Sequence, residues 1–163
     1  CYLRSSMPLI ILKTYIQAER SVVFDLSRSI DLHKISNQQT NEKAIAGVTS
    51  GLIGMNESVT WRAKQLGFYQ KLTSKITAFN HPESFTDEMV SGAFKQFKHE
   101  HIFEVHDQGT LMIDRFDYTS PYGVLGKIVD ALFLKKHMTN LLITRNQSVK
   151  KFAESDRWKE VLA

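Results

Sequence analysis

Residues 97–118 read FKHEHIFEVHDQGTLMIDRFDY. His99, His101 and His106 fall within eight positions, and Asp114 interrupts the apolar run that follows. Imidazoles two residues apart share one face of a β-strand, so His99 and His101 point together while His106 points away or lies in a turn. Neutral imidazole nitrogens suit Zn, Fe, Ni or Cu, and an H-x-H pair on a strand is one way to begin a metal site. A third ligand should then come from a Glu shortly after the second His. Val105 and His106 occupy those places, and Glu104 lies on the opposite face. Two ligands do not close a site, so the spacing favours ordinary packing without a metal, with His101 inside and His99 nearer the rim.

Asp114 sits among Met112, Phe116 and Tyr118 at period two. If that set faces inward, the carboxylate is buried and must find a donor. Hairpin geometry leaves two registers. A four-residue loop, His106 to Gly109, with Gly109 taking a positive φ, pairs Phe103 with Met112 and His101 with Asp114. A shorter loop with a bulge pairs Phe103 with Ile113 and His101 with Arg115. The first keeps the charge off the dry face and is preferred. Arg145 is the third chemical residue. It lies four residues from both Leu141 and Val149, in the middle of an apolar helical stripe. Asp114 and Asp87 are its candidate partners, in a bidentate pair. Such a pair either orients a ligand's polar end or fixes helix to sheet.

Nucleophilic catalysis has no support. Cys1 is terminal, no G-x-S-x-G elbow occurs, and no glycine-rich phosphate loop follows a strand.

The elements that must hold these residues follow from periodicity. Pro8 to Gln17 reads as a first strand. Val22, Val23, Leu26 and Ile30 have helical spacing, and Asp31 is placed to cap a second short helix to Asn37. Lys43 to Ala46 is a short strand. In SVTWRAK, Val59, Trp61 and Ala63 alternate with polar residues, and Gly67 ends the strand. The next strand sets Leu72, Ser74, Ile76 and Ala78 against a polar face. Phe85, Asp87 and Met89 alternate in another, which Gly92 ends. After Ser120-Pro121-Tyr122-Gly123 the pattern becomes helical to about Glu154. One stripe is Leu125, Ile128, Val129 and Leu132, and another is Met138, Leu141, Leu142, Val149 and Phe152. A curved antiparallel sheet with one apolar face needs a cover, and the long terminal helix is the element able to supply it.

Length bounds the rest. A 163-residue chain is one domain, burying roughly 70% of its unfolded surface. The single cysteine, Cys1, forms no internal bridge. No apolar run reaches the roughly 20 residues that span a bilayer, so a cytoplasmic location without integral membrane association is expected. The net charge is +4 and the pI about 9.2, but only Lys135-Lys136 and Lys150-Lys151 are adjacent basic pairs. No nucleic-acid motif spacing appears, and a solvated basic surface is the reading. The folded domain is expected over 7–156. Met7 would be its start, and residues 1–6 a disordered or extraneous segment.

This order of elements, with GMNESVTWRAKQLG, KLTSKITAFNHPESFTDEMVSGAF, HEHIFEVHDQGTLMIDRFDYTSPYGVLG and ITRNQSVKKFAE, resembles the START-like superfamily. That group is also called SRPBCC, or the polyketide cyclase and lipid transport superfamily. The likeness runs over nearly the whole chain. It is nearest a branch of small stand-alone bacterial proteins, some of whose members are described as cell-division inhibitors. The resemblance implies an α+β helix-grip fold: a curved antiparallel sheet of about 6–7 strands around a long C-terminal helix, with two short helices after strand 1. It also implies a cavity for a hydrophobic or amphipathic small molecule or lipid, with no general requirement for a cofactor.

On that basis the expected lining is Trp61, Ile76, Met89, His101, Phe103, Met112, Asp114, Phe116, Leu141 and Arg145. Loops near Gly51–Asn56 and Pro121–Gly126 would border the mouth. Three functions remain open: binding or transport in the cavity, acid–base chemistry of cyclase/dehydrase type in the same cavity, and an interaction protein linked to cell division with a filled core.

Overall fold

The computed structural model of the chain describes residues 8–65, 68–120, 123, 125, 128 and 130–163. Seven strands form one antiparallel sheet: β1 (Leu9–Ile16), β2 (Lys43–Gly47), β3 (Ser58–Gln65), β4 (Phe68–Asn80), β5 (Ser84–Ser91), β6 (Gln96–His106) and β7 (Gly109–Thr119). Their spatial order is β1-β7-β6-β5-β4-β3-β2. Two helices, α1 (Arg20–Ser27) and α2 (Ile30–Ser36), follow β1. A turn of wider helix (Asp130–Leu134) leads into the long helix α3 (Lys135–Ala153), and a short α4 (Trp158–Leu162) ends the chain. This is a helix-grip architecture. α3 packs against β1, α1 and α2, with Val149 and Phe152 in one core cluster with Trp61 and Phe103.

The period-two pattern works as physics requires. Val59, Trp61 and Ala63 are buried on β3, while Arg62 and Lys64 are exposed. On β6 and β7 the inward residues are Phe97, His99, His101 and Phe103, and Met112, Asp114, Phe116 and Tyr118. The hairpin pairs Phe103 with Met112 and His101 with Asp114. Its loop is tighter than expected, because His106 pairs directly with Gly109. The positive φ falls on Asp107, at 50°. Gly109 answers a different need: a Cβ there would sit 2.4 Å from the Ile16 carbonyl oxygen.

Three local readings need correction. The cap of α2 is Ser29, whose Oγ accepts from Leu32 N at 3.1 Å; Asp31 instead accepts from Gly51 N at 2.9 Å. Ala78 is exposed, because the β4–β5 register shifts between Ile76 and Ala78 and turns Phe79 toward the core instead. Such a bulge reverses the facing of every residue beyond it. Leu125, Ile128 and Leu132 are exposed, so they do not form a buried stripe. In α4, Trp158, Val161 and Leu162 lie against the core cluster. Residues 1–7, Gly67, Val129 and most of Pro121–Gly126 lie outside the described residues.

Candidate functional site: a polar block on the wall of a cavity

Between the sheet and α3 lies a cavity of about 190 Å³. Its apolar lining includes Trp61, Ile76, Phe85, Phe116, Leu141 and Leu142. Ile53, from the loop expected at the mouth, lines it as well. Polar residues enter the wall in two places: His33, Asn37 and Glu42 on one side, and Asp87 from β5, His99 and His101 from β6 and Arg145 from α3 on the other.

The polar block centres on Asp114, which is fully buried. His99 Nε2 lies 2.8 Å from Asp114 Oδ1 and donates to it. Asn146 Nδ2 donates to Oδ2 at 2.7 Å and lies 3.4 Å from Thr14 Oγ1. Arg145 Nη2 stands 3.6 Å from Asp114 Oδ1. His101 Nε2 donates to Asp87 Oδ1 at 2.7 Å, which leaves its Nδ1 to accept from Arg145 Nη2 at 3.2 Å. That tautomer is assigned from the bonding network. His101 also stacks on Phe85, with centroids 4.1 Å apart, and its ring lies 3.7 Å from that of His99.

Electrostatics follow from this packing. Burial pushes the His99 imidazole down to about 4, outweighing the pull of Asp114, so the ring is neutral at ordinary pH. Burial alone would raise Asp114, but Arg145 and the two histidines hold its carboxyl well below the usual range. Asp87 behaves alike. Its burial is outweighed by the His101 hydrogen bond and by the neighbouring charges, so it too lies low. Two carboxylates therefore face one guanidinium, beside the neutral ring of His99.

The expected lining is divided. Trp61, Ile76, His101, Phe116, Leu141 and Arg145 line the cavity. Phe103 and Met112 lie instead in the packed core beside Phe24. Met89 packs against a second core cluster. Asp114 stands behind the histidines, touching His99, Arg145 and Asn146 rather than the open space. His99 is not at a rim: it is 5% exposed, nearly as buried as His101 at 2%. Its neighbour across the β5–β6 ladder is Asp87, and this inter-strand pairing carries it inward. Sequence reasoning passes over Asn146. Its signal is nonetheless there, since it lies four residues after Leu142 and three before Val149, on the buried stripe.

Comparison with solved structures bears on the fold. TTHA0849 from Thermus thermophilus superposes with a TM-score of 0.68 at 16% identity, covering 87% of this chain and 97% of that one. The major latex-like protein 151 of Panax ginseng gives 0.61 at 14%, covering 91% and 99%. The KanY protein gives 0.71 at 12%, covering 92% and 99%. The fold is START-like. Identities this low carry the START-like architecture and not its chemistry. No family profile matches the chain, and no curated protein matches it. Among the described residues no helix is long and apolar enough to cross a membrane.

Proposed function

We propose that this START-like protein binds a hydrophobic or amphipathic small molecule in the cavity between the sheet and α3. One observation carries the reading: a hollow of about 190 Å³ walled by Trp61, Ile76, Phe85, Phe116, Leu141 and Leu142, with a polar corner of Asp87, His99, His101 and Arg145. That space exceeds the roughly 150 Å³ of an apolar cavity able to hold benzene, so at least one ring or a short chain fits. Burial of apolar surface supplies about 25 cal/mol per Å² before association costs, and the polar corner fixes orientation. A filled interior would have suited a protein working only through its surface, and the hollow weighs against that. We take the compartment to be the cytoplasm, which cell fractionation checks.

Native mass spectrometry of protein purified from its own source is expected to show a co-purified small molecule. Ile76→Trp, which fills the hollow from β4, should remove it while the protein stays folded. Retention of the same molecule by the filled variant would reject the cavity as its site. A second reading, acid–base catalysis of cyclase/dehydrase type, draws on the neutral His99 beside Asp87. It requires turnover of polyketide-like substrates that falls in His101→Ala; binding without turnover rejects it.

A further inference from the structure

We propose that Asp87, His99 and His101 form a binding site for a divalent first-row transition metal, with Asp114 orienting both imidazoles from behind. The proposal goes beyond the apolar-ligand reading and does not need it. It starts from an unused atom. His99 is 5% exposed, and its Nε2 is committed to Asp114. That leaves Nδ1 with a lone pair and no hydrogen bond to any described residue; Asp87 Oδ1 is 3.9 Å away, beyond hydrogen-bond reach. The same carboxylate oxygen is 2.7 Å from His101 Nε2. One donor atom from each of the three residues lies within 4.8 Å of the other two. Ligands at about 2.0–2.2 Å from a metal stand about 3.3 Å apart in tetrahedral geometry, so modest closure suffices.

The surroundings fit a cation. Ligating histidines ordinarily give their other N–H to a carboxylate, which fixes ring and tautomer. Asp114 Oδ1 meets that need twice, at 2.8 Å from His99 Nε2 and 3.4 Å from His101 Nδ1. When metal takes His101 Nε2, the ring keeps one proton, moved to Nδ1 and directed at Asp114. Arg145 Nη2, 3.6 Å from Asp114 Oδ1, then bonds that carboxylate in place of the imidazole. Two carboxylates against one guanidinium leave the block short of positive charge, and an ion bound there supplies it. Two imidazoles and one carboxylate select Zn, Fe, Co or Ni over Mg or Ca. Because all three ligating residues line the cavity, the remaining coordination positions open into it.

The test is titration of metal-stripped protein with Co²⁺, followed by its visible ligand-field absorption, then displacement by Zn²⁺. The expected result is one ion per chain, with affinity reduced more than about 100-fold in Asp87→Asn and in His99→Gln, since outer-shell changes alone cost about 10–100-fold. His99→Gln can keep the bond to Asp114 through its amide while removing the Nδ1 ligand. His106→Ala, at an exposed position, should bind as the parent does. Should the variants unfold, imidazole nitrogen NMR of the parent chain decides: Zn²⁺ must shift His99 and His101 together. No Co²⁺ band, equal affinity in the variants, or shifts confined to other histidines would overturn the site.

Discussion

One face of the β6–β7 ladder contains two kinds of interior. Phe103 and Met112 pair at one end and join Phe24 and Phe85 in an apolar cluster. Phe97 and Tyr118 pair at the other end, in a second apolar cluster. Between them His101 pairs with Asp114, and His99 with Phe116. The apolar ends depend on volume and tolerate exchange of one hydrophobe for another. In the middle the polar side chains depend on one another for hydrogen bonds, so removing one member strands its partners. A buried ionic network is a weak stabiliser compared with a well-packed apolar replacement. The polar middle therefore makes better sense as a device that holds nitrogen and oxygen atoms at the cavity wall.

The contrast breaks first at Asp114. Asp114→Ala leaves His99 Nε2–H without its acceptor, Asn146 Nδ2 with only the longer bond to Thr14, and Arg145 without its carboxylate at 3.6 Å. The expected loss is about 3–5 kcal/mol in urea unfolding. A loss below about 1 kcal/mol would mean that the middle does not act as a unit.

Next in size is a pH effect. His99 falls from 6.5 to about 4 on folding, so between those values the unfolded chain binds more protons than the folded one. Stability is complete above pH 6.5 and declines as pH falls toward 4, at up to about 1.4 kcal/mol per pH unit. Asp114 and Asp87 are depressed instead. Their contribution is present above about 3.8 and is lost only below that, as pH passes through their folded values. His99→Gln should flatten the upper limb and leave the lower one. Unfolding midpoints measured across this range test the assignment, and an unchanged upper limb would refute it.

The apolar end should answer differently to a swap that conserves volume. Met112→Leu, two positions from Asp114 on the same face, is expected to cost less than about 1.5 kcal/mol in the same assay. A larger loss would show that the apolar end is as particular about chemistry as the middle.

The sequence and the structure agree where the relevant forces are local. Alternation at Val59, Trp61 and Ala63 shows which face of β3 is dry, and keeping charge off the dry face selects the register that pairs His101 with Asp114. The stripe through Leu142, Val149 and Phe152 likewise identifies the buried side of α3. Sequence reading fails where the deciding partner is remote. Spacing directs the search for a third member of the histidine cluster downstream of His101, yet that member is Asp87 from the preceding strand, brought opposite His99 by the β5–β6 pairing. Spacing within one strand cannot register that neighbour. A bulge is equally invisible to a period of two, which is why alternation points Ala78 inward. The exposed stripe at Leu125, Ile128 and Leu132 has apolar periodicity, but periodicity does not say whether a partner surface exists.

The smallest expected effect gives the sharpest form of the comparison, because it concerns the residue between the two histidines. Glu100 lies on the outer face of β6, where Lys98 Nζ is 3.1 Å from its Oε1 and Arg115 Nε 3.6 Å from its Oε2. The hydrogen bond to Glu100 and its charge raise the Lys98 amine. By simple inventory this is a three-residue ionic network like the inner one, on the same two strands. Water reaches it, however: the side chains of Lys98, Glu100 and Arg115 are 48%, 32% and 47% exposed. Solvent and salt screen such pairs, and holding long side chains costs entropy. Glu100→Ala should therefore change stability by only about 0.2–1 kcal/mol, with even that fading in high salt. Urea unfolding of Glu100→Ala and Asp114→Ala at low and high salt makes the comparison directly. Equal losses would mean that burial is not what distinguishes the two faces, whereas a large, salt-insensitive loss for Asp114 alone assigns the difference to the dry surroundings.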